Sequence, residues 1–79
     1  MTKLPAVSGK EVVKALVKTG YYVHHQKGSH ICLKNNNSPY NRITVPNHKE
    51  LKKGTLNGIL KDAGLSVDEF LKLTIKFLH

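Results

Sequence analysis

Two strand-like runs meet at Gln26-Lys27-Gly28-Ser29-His30, and the glycine between them constrains the fold more than any other feature. Tyr21 to Gln26 opens with aromatic and β-branched residues, and Ser29 to Lys34 returns as a second strand. Lys27-Gly28 is read as the two-residue hairpin turn, with Gly28 taking positive φ. On the first strand Tyr21 and Val23 share one face and Tyr22 and His24 the other. If Tyr21 and Val23 face the core, His24 faces solvent and His25 takes the core parity. The second strand alternates poorly, since Ile31, Cys32 and Leu33 run together, so its buried face stays open. Asn35 to Asn41 is a loop, and Arg42-Ile43-Thr44-Val45 alternates as a third strand ended by Pro46.

Helices flank this sheet. Ser8 and Glu11 match a capping box that opens a first helix over about Gly9 to Thr19, with Val12, Val13, Leu16 and Val17 as its apolar face. A second helix, about Lys53 to Ala63, carries Leu56, Ile59, Leu60 and Ala63 at helical spacing and stops at Gly64. Ser66 and Glu69 form a second capping box. It opens a third helix whose stripe is Val67, Phe70, Leu71, Thr74, Phe77 and Leu78. The order helix, three strands, helix, helix predicts an α+β layer with a three-stranded antiparallel sheet and helices on one face. Seventy-nine residues make one domain, 1–79, with a core over about 8–66 and a C-terminal helix over about 67–78. A domain this small has no room for a deep enclosed pocket, so a substrate must lie across its surface.

Charge narrows the partners. Thirteen Lys+Arg against five Asp+Glu leave a formal +8, which favours a polyanion: RNA, DNA, an acidic membrane face or an acidic protein. Arg42 is the single arginine, and lysine contacts phosphates as a point charge more than it reads bases. Cys32 is the lone cysteine, which excludes an internal disulfide and a cysteine-rich zinc site. It reads as a small buried hydrophobe. No apolar run reaches the length of a membrane span and no signal-peptide core is evident. These features predict a soluble cytoplasmic protein with no membrane partner.

The chemistry follows from what the residues permit. Glu11, Asp68 and Glu69 sit in helix first turns, Asp62 lies on a helix and Glu50 in a loop, so no carboxylate cluster offers a two-metal site. The histidine spacings match no zinc signature, and phosphate-loop and dinucleotide motifs are absent. No metal and no cofactor is expected. What remains is histidine on a basic surface. RNA carries its own nucleophile, and an imidazole can take the 2′-hydroxyl proton so that the oxygen attacks the adjacent phosphate. His30 follows the hairpin glycine, where backbone amides and Ser29 can also meet a phosphate. His24 and His48 are alternative or accessory groups. The candidate RNA contacts are Lys27, Gly28, Lys34, Arg42, Lys49, Lys52 and Lys53, with Lys10 and Lys14 on the first helix. Two other readings of the same surface are a non-catalytic module for double-stranded RNA and a module that binds an acidic protein.

Three segments in order carry a resemblance. They are Gly20-Tyr21 leading to Gln26-Lys27-Gly28-Ser29-His30; Arg42 to His48; and Leu51 to Leu56 followed by Ile59 to Ser66. Together they resemble the HicA family, small mRNA-interferase toxins of toxin–antitoxin pairs. The resemblance implies a fold like the double-stranded-RNA-binding domain, α-β-β-β-α. It implies metal-independent cleavage of mRNA with His30 catalytic, and neutralisation by a HicB antitoxin. Many relatives carry a second histidine directly after the motif, where this chain has Ile31; a neighbouring acid would have to be His24 or His48.

Overall fold

The computed structural model describes residues 4, 6–37 and 42–74. Its elements are α1 (Gly9–Lys18), β1 (Tyr22–Lys27), β2 (His30–Lys34), β3 (Arg42–Pro46), α2 (Lys53–Ala63) and α3 (Val67–Thr74). The strands form one antiparallel sheet in the order β1-β2-β3. The expected α+β order, with its extra C-terminal helix, is therefore the observed one. Phe77, Leu78 and the loop positions 38–41 lie outside the described residues.

Both capping boxes form. Ser8 Oγ accepts from the Glu11 N–H at 3.1 Å, and Glu11 Oε1 accepts from the Ser8 N–H at 3.0 Å. Ser66 and Glu69 repeat the exchange at 3.0 and 2.9 Å. Ser66, through its backbone N–H and then its hydroxyl, holds the Glu69 carboxyl below its ordinary range. Each exchange satisfies two amides that a helix start leaves without partners.

The core lies on one side of the sheet. Ile31 and Leu33 of β2, with Ile43 and Val45 of β3, join Val12, Ala15 and Leu16 of α1 and Leu56, Ile59 and Leu60 of α2. Alternation on β2 is thus resolved: Ile31 and Leu33 face the helices, and Cys32 faces the other way. Val17, expected on the apolar face of α1, is 48% exposed, and Ala15 is buried in its place. The third helix closes this core. Phe70 is fully buried, and Lys18 Nζ donates to the Leu73 carbonyl at 2.8 Å, tying α3 to the end of α1.

Two corrections concern β1. The hairpin turn is Gly28-Ser29, one residue later than Lys27-Gly28, because Lys27 pairs with His30. Gly28 has φ +58 and Ser29 does not share the positive φ, so the one strained position falls on glycine. A turn over Lys27-Gly28 would have put lysine in that region. The second correction is a β-bulge between Val23 and His25. Val23 pairs with Leu33, but His25 pairs with Cys32, so the extra residue reverses the parity beyond it. His25 leaves the core side and joins the outer face. All six residues of β1 are exposed, Val23 included at 49%.

The segments around the turn are locked together. The Asn47 N–H donates to the Ser29 carbonyl at 2.6 Å, and the Gly9 N–H donates to the His48 carbonyl at 2.9 Å. A Cβ at Gly9 would run into the Pro46 carbonyl, so only glycine lets α1 start this close to β3.

Candidate nucleic-acid interface and active site

The outer face of the sheet faces away from the helices, and strand register places its residues. Lys27 stands opposite His30, His25 opposite Cys32, Cys32 opposite Thr44, and Lys34 opposite Arg42. Six of these side chains, His25, Lys27, His30, Cys32, Arg42 and Thr44, line one open hollow of about 420 Å³. His30 is exposed there, at the first position after the turn. The sequences of the three strands contain no Asp or Glu, so the face carries positive charge without an internal counter-ion. Lys34 and Arg42 are like charges directly opposite on adjacent strands, an arrangement that costs stability unless an anion lies across it.

His24 and His25 are joined through their Nδ1 atoms at 2.8 Å, with ring centroids 5.0 Å apart and planes at 76°. One ring donates and the other accepts. His24 is held below its ordinary pKa, chiefly by the positive charge of Lys34, then by partial loss of hydration, His25 and Arg42. Those neighbours place His24 within the field of the outer face.

A second, smaller hollow of about 280 Å³ is lined by Ser8, Lys10, Asn47, His48 and Lys49 at the start of α1. His48 is therefore not among the residues around His30, although the Asn47–Ser29 bond links the two regions. Lys52 is the residue preceding α2, Lys53 opens that helix, and both are exposed. Lys14 is exposed on α1. Among the described residues, no group of three or more His, Cys, Asp or Glu side chains is placed to hold a metal ion. No described helix is long and apolar enough to cross a membrane.

The sequence match to known proteins covers the sheet and the hollow around His30. The family model described as "HicA toxin of bacterial toxin-antitoxin" matches residues 9–65, from the first residue of α1 to just past α2. The chain belongs to the HicA toxin family. A solved chain described as "Toxin-Antitoxin complex from Streptococcus pneumoniae" is 40% identical, with a TM-score of 0.65. The match covers 75% of this chain and 98% of that one. No curated protein matches.

Within this HicA-family chain the structure brings Lys27, His30 and Arg42 together, with Lys34 beside Arg42. It sets Lys10, His48 and Lys49 around a neighbouring hollow. His25, Cys32 and Thr44 also line the hollow around His30, and the residue pattern did not single them out as site residues. For Cys32 and Thr44 the signal was present, since each is two positions along its strand from a site residue. For His25 it was hidden, because strict alternation assigns it to the core.

Proposed function

We propose that this HicA-family toxin is an endoribonuclease that cuts mRNA in the cytoplasm, with His30 as general base. The observation that carries the reading is the exposure of His30 on a cationic sheet face free of acids, beside Lys27 and Arg42. A flat, positively charged strand face suits a phosphodiester chain, and the open hollow admits one phosphate and its sugar. His30 takes the proton of a ribose 2′-hydroxyl, and the oxygen attacks the adjacent phosphorus. Lys27 and Arg42 stabilise the charge that builds on the phosphoryl oxygens. The P–O5′ bond breaks, leaving a 2′,3′-cyclic phosphate and a 5′-hydroxyl end. No step needs a metal ion. Lys34, Ser29 and the Gly28 backbone extend the phosphate track along the hairpin. Lys10, Lys14, His48, Lys49, Lys52 and Lys53 serve flanking phosphates beyond the hollow.

The same face is the surface that a HicB-type antitoxin covers in this reading. Support comes from the relative whose solved structure is a toxin–antitoxin complex, and from the charge that an acidic partner would neutralise.

The test is cleavage of matched RNA and DNA oligonucleotides with and without EDTA. RNA should be cut to cyclic-phosphate ends, DNA should survive, and EDTA should change nothing. Salt-sensitive RNA binding without cleavage would replace this reading with a non-catalytic module. No RNA affinity at moderate salt would replace it with a protein-binding one.

A further inference from the structure

Transfer of a phosphoryl group from O5′ to O2′ needs two proton movements, and His30 accounts for one. The oxygen that leaves must gain a proton. Among the described residues the acids lie off the sheet, and His48 lines a different hollow. The bulge in β1 brings one more imidazole to the place where an acid is needed. His25 stands opposite Cys32, two residues along β2 from His30 and on the same face. Such diagonal neighbours lie about 7–8 Å apart, within reach of long or aromatic side chains, so a phosphate can meet both rings.

We propose that His25 is the general acid of the cleavage, that His24 is the residue that positions it, and that the β1 bulge exists to bring His25 beside His30. The inference rests on the reading of His30 as base given above. The Nδ1–Nδ1 bond decides which atom of His25 works. His24 occupies the Nδ1 of His25 at 2.8 Å, so Nε2 is the ring nitrogen of His25 left to meet a substrate. The charged or titratable groups around His25 are His24 and Lys27 on β1, His30, Cys32 and Lys34 on β2, and Arg42 on β3. A phosphodiester seated between the rings would meet the positive charge of Lys27 and Arg42.

The step balances. The 2′-oxygen gives its proton to His30 and bonds to phosphorus; the P–O5′ bond breaks; His25 Nε2–H passes its proton to O5′. His30 ends protonated and His25 neutral, and exchange with water restores both.

The test compares two forms of one RNA that differ only at the mapped cleavage site. One has the natural linkage. The other has a 5′-bridging sulfur, whose thiolate leaves without a proton. His25→Ala and His25→Gln should slow the natural linkage by about 10²–10³-fold. They should cut the sulfur linkage within a few-fold of wild type and lose the alkaline limb of the kcat/KM profile. His24→Ala should show the same pattern more weakly. His30→Ala should be slow on both linkages. Equal losses on both linkages by His25 variants that retain the wild-type unfolding midpoint, or no loss on the natural one, would overturn the assignment of His25. Full activity of His30→Ala would overturn the base reading and with it the pairing with His25, whereas failure of the His25 variants alone would leave the base reading standing; a wild-type chain that cuts neither linkage would overturn both.

Discussion

His24 shows how the outer face writes itself into a single ionisation. Its neighbours are cations, Lys34 foremost, and they hold its pKa below the ordinary 6.5. In the unfolded chain those neighbours disperse and the proton binds at the ordinary value. Acid therefore favours the unfolded chain: stability falls as pH drops below 6.5 and levels off once pH passes the folded value. His24→Gln removes this slope. Urea unfolding midpoints at two pH values on either side of this window should fall more for wild type than for the variant. Equal falls would show that the cations do not act on His24. Lys34 and Arg42 are the other side of the same cost, two like charges held opposite each other on a surface that no internal acid neutralises.

At the scale of elements, the glycines separate geometry from space. Gly58 lies on α2 with nothing near a prospective Cβ, so Gly58→Ala should stabilise by up to about 1 kcal/mol. Gly28 also has open space but sits at φ +58, so Gly28→Ala should cost about 1–2 kcal/mol of backbone strain and loosen the hairpin. Gly9 faces the Pro46 carbonyl, and Gly9→Ala should cost about 2–3 kcal/mol because main chain, not a flexible side chain, must move. Thermal or urea unfolding of the three variants checks the order. The third helix makes a matching claim. Phe70 lies beyond the family match at 9–65 yet is fully buried, so Phe70→Ala should cost about 3–5 kcal/mol. A near-neutral result would make α3 an appendage.

These elements also mark what could be read from residues alone. The capping boxes at Ser8 and Ser66 and the helical stripe of α2 were legible because each depends on neighbours within four positions. The turn moved by one residue because Lys27-Gly28 and Gly28-Ser29 contain the same glycine, and only the paired strands decide whether it comes first or second. The bulge was illegible: no glycine or proline marks Val23-His24-His25, and the register is set by β2. Its effect on the site was large, since it moved His25 across the sheet. Val23 was misplaced for a related reason. Its parity points to the helices, but at the edge of the sheet it stays half exposed.

For the whole molecule, the acids are kept off the strands. The sheet face has Lys27, Lys34 and Arg42 with no acid among the strands, whereas Asp62, Asp68 and Glu69 lie on α2 and α3 with Lys61 and Lys72 among them. If RNA lies on the sheet, Lys27→Gln and Arg42→Gln should each weaken binding and lower the slope of log affinity against log salt by about 0.7. Lys61→Gln and Lys72→Gln on the helical layer should leave that slope unchanged. A slope that responds equally to all four would mean attraction by net charge without a docking face. An antitoxin that covers the sheet should compete with RNA, and its affinity should fall with the same two substitutions.

The claim on which the account rests is that the His30 imidazole takes the 2′-hydroxyl proton. The direct measurement is the single-turnover rate of RNA cleavage by His30→Ala against wild type, at equal RNA occupancy and with matching unfolding midpoints. A fall of about 10²–10⁴-fold with binding retained is the expected result. Cleavage at the wild-type rate by a folded His30→Ala chain would contradict it.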